Sequence, residues 1–325
     1  MRLLVTGGAG YIGSVVGAML AEAGHQVTVL DDLSTGHADA VPPAARFVPG
    51  DLREHAAAVL ADGCDAVLHF AAKSLVGESV AKPLKYWHSN LGGTLALLEA
   101  MRAAGVARIV FSSTAATYGE PEAMPITEDT PPRPASPYGA SKLAADTALA
   151  EAARMHGLGA VSLRYFNVAG AHRAAGGRWL GERHDPETHL IPNVLAAAGR
   201  PGQQVAIFGD DYPTPDGTCV RDYIHVTDLA RAHLLALEAC APGSHRIYNL
   251  GSGTGFSNRE VLAACRAATG EDIPARMDPR RPGDPPVLIA SSARIRADLG
   301  WQPGLGLPDM VADAWACRGM QAASR

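Results

Sequence analysis

Tyr138 and Lys142 stand four positions apart on a predicted helix, so their side chains share one face. A cation one turn from a phenol favours the phenolate and lowers its pKa. Ser112, Ser113 and Thr114 end a predicted strand, which puts a hydroxyl such as Thr114 in reach of the same substrate oxygen. A base, its activator and an orienting donor then meet at the carboxyl end of a parallel sheet, where ligands bind in such folds. Tyr-x-x-x-Lys pairs also occur by chance on surface helices, so the reading depends on the rest of the chain.

The second set is Thr6-Gly7-Gly8-Ala9-Gly10-Tyr11-Ile12-Gly13, between a first strand and a first helix. Gly7, Gly10 and Gly13 permit a tight turn, close approach of backbone to a pyrophosphate, and close helix–strand packing. The helix N-terminus adds amide donors and the positive end of its dipole. The spacing is G-x-x-G-x-x-G rather than the commoner G-x-G-x-x-G, and an ordinary strand–helix turn also carries glycines. Asp31 closes the second strand, 18 positions after Gly13. A carboxylate there accepts both ribose hydroxyls of NAD and repels a 2′-phosphate, so NAD is expected over NADP. Asp51, in Gly50-Asp51-Leu52, reads equally as an adenine contact or as the N-cap of the helix that follows.

These residues need a scaffold of alternating strands and helices. Strands are predicted at 2–6, 26–30, 46–48, 66–70, 107–112 and 159–164, and helices at 11–23, 53–61, 84–104 and 138–156. That alternation means a parallel sheet covered on both faces, an α/β doubly wound, Rossmann-type domain. After Asn167 the pattern changes. Residues 170–189 have no clear period, and 208–218 and 278–286 are rich in Pro, Gly and Asp, as binding loops often are. A helix at 227–238 and a strand at 246–250 return to the main sheet. The expected division is 1–168, with about 221–252 returning to it, against a smaller interleaved C-terminal part of about 169–220 and 253–325.

Composition narrows the class. With 47% hydrophobic and 19% charged residues in 325, the chain reads as globular, with about two domains. A net charge of −5 argues against nucleic acid or an anionic membrane as partner. There is no run of 18 apolar residues and no signal-peptide pattern at the start. Cys64, Cys219, Cys240, Cys265 and Cys317 are odd in number and far apart, with no Cys-x-x-Cys pair. A reducing cytoplasm with free thiols is expected, and no metal. Lysine occurs only at 73, 82, 85 and 142, against 24 Arg, so a lysine at 142 suggests a need for a tunable amine.

On these motifs the chain resembles the extended short-chain dehydrogenase/reductases. Within them it is similar to the UDP-glucose 4-epimerase group, over almost its whole length. Thr6–Gly13, Tyr138-Gly139-Ala140-Ser141-Lys142 and Arg221-Asp222-Tyr223-Ile224-His225-Val226 mark the wider family. His69-Phe70-Ala71-Ala72, Val76-Gly77-Glu78-Ser79-Val80, the run Phe111–Gly119 and Leu163-Arg164-Tyr165-Phe166-Asn167 are more specific. The stretch from Ile207 to Thr218 running into Val220-Arg221-Asp222-Tyr223 is close to a signature of the epimerase group.

The resemblance implies roles position by position. Gly7, Gly10, Tyr11, Ile12 and Gly13 hold NAD, with Asp31, Asp32, Leu33, Ser34, Thr35 and Gly36 following the second strand and Asp51 and Leu52 the third. Phe70, Ala71, Ala72, Lys73, Ser89 and Phe166 line its nicotinamide half. Thr114, Tyr138 and Lys142 are the reacting set: all three touch the cofactor, Lys142 as a ribose ligand, and Thr114 and Tyr138 also touch the sugar. Asn167, His189, Leu190, Ala206 and Phe208, with Arg221, Arg281, Asp284 and Leu288, hold the UDP-sugar. Arg221 and Arg281 suit a diphosphate, which needs forked cationic donors. In three places the chain departs from the family: Thr114 stands where many members have Ser, Ser89 where Asn is frequent, and Ser74 where some carry a ribose-binding Lys.

The implied reaction interconverts UDP-galactose and UDP-glucose through a 4-keto intermediate with transient reduction of NAD, in a cytoplasmic homodimer. Its dimer contact is implied at helices 84–104 and 138–156, whose apolar stripes serve a core equally well. A sugar-nucleotide dehydratase or decarboxylase of the same superfamily is the first alternative. Dehydratases of this kind usually carry an Asp-Glu pair after the Thr, where this chain has Ala115 and Ala116. A non-catalytic NAD-binding regulator is the second, and it is expected to lose Tyr138 or Lys142. Leu288, smaller than the Tyr of members restricted to glucose and galactose forms, implies room for N-acetylated UDP-hexoses.

Overall fold

The computed structural model describes residues 1–323 apart from Pro201 and Pro282. Short, nearly continuous apolar runs form the strands Arg2–Thr6, Gln26–Asp31, Arg46–Pro49, Ala66–His69, Arg108–Thr114, Gly159–Tyr165 and His245–Leu250. Such runs are what a sheet buried on both faces requires. All seven pair in parallel. From one edge the order is 245–250, 159–165, 108–114, 66–69, 2–6, 26–31, 46–49. The chain builds outward from 2–6 to one edge, then returns to build the other. The reversal leaves a crevice at the carboxyl ends of 2–6 and 66–69, the usual ligand position in such a sheet.

Helices cover both faces. Tyr11–Glu22 packs against Val226–Glu238 over a core of Val5, Val29, Leu68 and Leu229. Leu52–Ala61, Gly93–Ala104 and Pro137–His156 cover the other face over Leu4, Val67, Ile109 and Leu149. The strand His245–Leu250 joins the main sheet beside Gly159–Tyr165, as the return of 246–250 predicts. A third core, with Ile191, Val194, Val261, Leu262 and Met310, lies under the C-terminal elements. Among the described residues no helix is long and apolar enough to cross a membrane.

Two expectations need correction. The predicted helix at 84–104 is not uniform: Pro83–Tyr86 and Gly93–Ala104 are α-helical, and Trp87–Gly92 between them is a π-helix. Its cause is visible at Asn90, only 2% exposed, whose side chain bonds Lys73 N, Lys73 O and Ser141 Oγ. The widened turn lets a polar side chain on a covering helix hold the loop after strand 66–69. Residues 170–189 are not all loop either, since Ala171–Arg173 and Trp179–Gly181 pair antiparallel.

Two buried histidines give the fold a pH dependence. His69, 1% exposed, bonds Thr6 Oγ1 at 2.7 Å and Thr94 Oγ1 at 3.0 Å. Burial, then the charge of Lys142, lowers it from 6.5 to about 3. Burial lowers His233 from 6.5 to about 4, against its bond to the Leu229 carbonyl. Between those values and 6.5 the unfolded chain binds protons that the folded chain refuses, so stability falls as pH falls below 6.5. The expected loss is roughly 1.4 kcal/mol per pH unit for each histidine inside that window. Unfolding by urea across this range is the check, with His69→Gln expected to flatten the slope; a wild-type stability that stays level counts against it.

Candidate active site

The glycine loop is built as the fingerprint requires. Gly7 has a φ of +71°, and a Cβ on it would meet Ala71 N at 2.5 Å. A Cβ on Gly13 would meet Gly7 O at 2.2 Å, so helix and loop touch through backbone alone. Over Gly10 the nearest atom to such a Cβ is Gly7 O at 3.3 Å, which leaves the loop surface open. Gly10 caps the 12-residue helix Tyr11–Glu22 with no side-chain bond, so its first amides face the cleft. Asp31, 8% exposed, holds this loop by accepting from Ala9 N at 2.9 Å and Leu33 N at 2.8 Å. One carboxylate has lone pairs to spare for ribose hydroxyls beyond these two bonds. These features fit a dinucleotide's pyrophosphate and ribose.

One continuous cleft of about 1,520 Å³ runs from this loop to the C-terminal part. It is lined by every residue assigned above to cofactor, chemistry or sugar except Leu33, which is exposed. Leu33 takes a φ of +56°, and its contribution is its amide on Asp31. The N-cap reading of Asp51 holds, and its place in the cleft leaves the adenine contact open to it. It caps Leu52–Ala61 by accepting from Arg53 N at 2.8 Å, and it lines the cleft. The Arg53 side chain beside it lowers its carboxyl to about 2.

The strand Arg108–Thr114 carries Thr114 to the cleft floor, and the helix Pro137–His156, capped by Ser136 Oγ on Gly139 N, carries Tyr138 and Lys142. Lys142 is 3% exposed; its Nζ donates to Ser112 O at 2.8 Å and lies 4.6 Å from the centre of the Phe111 ring. Burial lowers it to about 8, opposed by Asp146. The expected lowering of Tyr138 by Lys142 is not found. Burial raises the phenol, and its bond with Thr114 lowers it, while the Lys142 ammonium donates to the Ser112 carbonyl.

On the opposite wall Arg221 bonds Asp284 at 3.2 Å, and Arg281 stacks over Phe208 at 3.9 Å. Leu288 pairs in register beside Arg221, so both edge the same pocket. Asn167 Nδ2 donates to Asp222 O at 2.9 Å.

Residues 3–251 match the model of the NAD dependent epimerase/dehydratase family. The chain belongs to this family. It is 56% identical over 318 residues to a UDP-glucose 4-epimerase of Corynebacterium glutamicum, covering 97% of this chain and 95% of that one. It is 57% identical over 318 residues to one of Streptomyces lividans, with the same coverage. A crystal structure of the UDP-glucose 4-epimerase of Stenotrophomonas maltophila, with bound NAD and formylated UDP-arabinopyranose, superposes with a TM-score of 0.93 at 40% identity over 100% of both chains. The seven-stranded parallel sheet flanked by helices is that family's Rossmann-type fold.

Some residues of the site escaped the sequence reading. Ser112 contributes its carbonyl to Lys142, and Asp146 with Arg164 lies buried behind that lysine. Asp146 follows Lys142 by four positions, the same helical spacing that picked out Tyr138, so the signal was present. Glu182, His184 and Glu187 line the cleft beside His189, and nothing in their local pattern marks them. Burial lowers His184, but its contacts with Glu182 and Glu187 outweigh this and push it up to about 10.

Proposed function

We propose that this protein is an NAD-dependent UDP-hexose 4-epimerase that interconverts UDP-galactose and UDP-glucose. The observation that carries the reading is the set Thr114, Tyr138 and Lys142 standing in one cleft with the open glycine loop, with Ala115 and Ala116 beside it. Alanine has no group for the acid–base loss of water, which disfavours a dehydratase. Retention of Tyr138 and Lys142 disfavours a non-catalytic regulator.

In this reading Gly7–Gly13 and Asp31 hold the dinucleotide's pyrophosphate and ribose, with Phe70–Lys73, Ser89 and Phe166 against its nicotinamide end. NAD, when bound, supplies reversible hydride acceptance at the sugar C4. Tyr138 Oη takes the proton of the 4-hydroxyl and returns it after the hexose has turned. Thr114 Oγ1 holds the same oxygen. Lys142 Nζ, which has donors beyond the one on Ser112 O, stabilises the phenolate by its charge, available below about 8. Arg221 and Arg281 hold the diphosphate while Asn167, His189, Leu190, Ala206, Phe208 and Asp284 shape the sugar nucleotide's wall. The division into a cofactor part, 1–168 with about 221–252, and a sugar part, about 169–220 and 253–325, belongs to this proposal; Ile191, Val194, Val261, Leu262 and Met310 form a core of their own in the sugar part, while Leu180, Ile295 and Trp301 pack into the core of the cofactor part. Incubation with UDP-galactose, followed by NMR, tests it. UDP-glucose supports the epimerase, a deoxy-keto sugar supports a dehydratase, and an unchanged substrate supports the regulator.

Substrate range is expected to extend to UDP-N-acetylglucosamine, because Leu288 leaves room that Tyr would fill. Leu288→Tyr should lower kcat/KM for the N-acetyl sugar selectively, by roughly 1–3 kcal/mol or more. Absence of wild-type activity on that sugar removes this expectation and leaves the 4-epimerase reading standing.

A homodimer in the cytoplasm completes the proposal. Val76, Val80, Leu84, Trp87 and Leu95, on the helical run 76–104, and Met155, on the neighbouring helix, are large apolar side chains left exposed. A second copy covering them fits the apolar composition of stable dimer interfaces. Light scattering should give twice 33.8 kDa, and a monomer would exclude the contact. Among the described residues no two cysteines are joined by a disulfide, which suits a reducing compartment.

A further inference from the structure

Glu182, His184, Glu187 and His189 come together on the strap between the strand Trp179–Gly181 and the helix Leu190–Ala197. Each offers one ligating atom, and these atoms all lie within 4.8 Å of one another. His184 Nδ1 is 3.0 Å from Glu182 Oε1 and 3.7 Å from Glu187 Oε1. It is buried there without a partner in hydrogen-bonding geometry. His189 Nδ1 contacts Glu182 directly and is 4.0 Å from Glu187 Oε1. The two imidazoles meet edge to face, 5.3 Å apart at 81°.

Three observations separate this cluster from a chance gathering of surface charge. The Glu182 side chain is only 7% exposed, and Glu187 is 20% exposed. Arg183, the nearest guanidinium in sequence, is turned away onto Asp39 at 2.8 and 2.9 Å, so it pairs with neither glutamate. Glu187 Oε1 is fixed by Thr188 N at 2.8 Å and His189 N at 2.9 Å, which sets its carboxylate toward the imidazoles. Two imidazole nitrogens and two carboxylate oxygens form a borderline N2O2 donor set, and a dication entering it takes the place of the protons that the carboxylates hold on the imidazoles.

We propose that these four side chains bind a divalent cation of the zinc type and that the ion fastens the strap across the cofactor end of the cleft. The strap is already tied to the loop after strand 26–31, through Arg183 on Asp39 and His37 Nε2 on the Arg183 carbonyl at 2.9 Å. Its other end leads into Leu190–Ala197, which lines the sugar side. A cation at its centre would join these anchors into one closure. His189 then acts through the ion as a positioning residue for Leu190, rather than as a direct sugar ligand. The fastening role rests on the reading of the cleft as an NAD site, whereas the cation site does not.

Elemental analysis of the protein dialysed against zinc chloride should find about one zinc per chain, as expected for a four-ligand site. Cobalt(II) in place of zinc should give the intense visible bands of four-coordinate cobalt in the wild-type protein. His184→Gln/Glu187→Gln should lose both signals while keeping the far-UV circular dichroism. Zinc well below one equivalent in wild type, six-coordinate cobalt bands, or undiminished binding in the variant would each overturn the site. If the variant fails to fold, the wild-type stoichiometry and cobalt spectrum still decide. Chelation should then weaken NAD affinity by roughly 5-fold or more, the lower end of coupling between linked sites. Unchanged NAD affinity with zinc bound overturns the fastening role alone. No NAD binding in either form, with zinc bound, overturns the cofactor reading instead.

Discussion

Tyr138→Phe is expected to retain bound NAD and to lose turnover by about 10²–10⁴, the scale of a positioned acid–base group. Phe keeps the ring, and the ring is what packs: it meets Tyr86 edge-on at 6.3 Å between centroids. Only the hydroxyl beside Thr114 is removed. Burial holds that phenol above its usual range, so the protein must deliver a charge to ionise it. Among the described residues the buried ammonium on this helix is Lys142, whose Nζ gives one of its three donors to the Ser112 carbonyl. Turnover therefore depends on the Lys142 charge acting on the phenolate, and Tyr138→Phe removes the group it acts on. Measurement of kcat on UDP-galactose, with cofactor retention read separately, checks the prediction. A variant near wild-type kcat would remove Tyr138 from the reaction.

Motifs whose meaning is local were legible in the sequence. Gly13 identifies itself because a Cβ there collides with Gly7 O in the same turn, and Gly7 because its turn takes a positive φ. Tyr138 and Lys142 follow from helical spacing alone. What stayed hidden depends on partners far apart in the chain. The π turn at Trp87–Gly92 exists because Asn90 reaches Lys73 and Ser141, and no window around residue 90 contains both. The contact of Lys142 with Ser112 is hidden for a related reason. Helical spacing puts it beside Tyr138, but the carbonyl it chooses comes from the strand under the helix. The strap cluster has a spacing that matches neither helix nor strand, so only its folded path brings four ligands together.

Asp146→Ala should be the most destabilising single change proposed here, at about 3–5 kcal/mol. Asp146 and Arg164 are 3% and 4% exposed. One carboxylate oxygen, Oδ2, accepts from Arg164 Nε at 3.0 Å, Arg164 Nη2 at 2.8 Å and Ser113 Oγ at 3.0 Å. The guanidinium also lies 5.0 Å from the centre of the Tyr118 ring. Removing the carboxylate strands a buried cation that cannot shed its proton, which costs far more than the pair contributes when intact. Asp146→Leu combined with Arg164→Met removes both charges, so it should be more stable than Asp146→Ala. The carboxylate also opposes the burial that lowers Lys142, so without it that amine should lose its proton below about 8. The alkaline fall in kcat should then move to lower pH in whatever fraction remains folded. Urea unfolding of the three proteins and the pH profile of Asp146→Asn read the two effects apart. A loss under about 1 kcal/mol would mean that Arg164 finds another partner or water when Asp146 is gone.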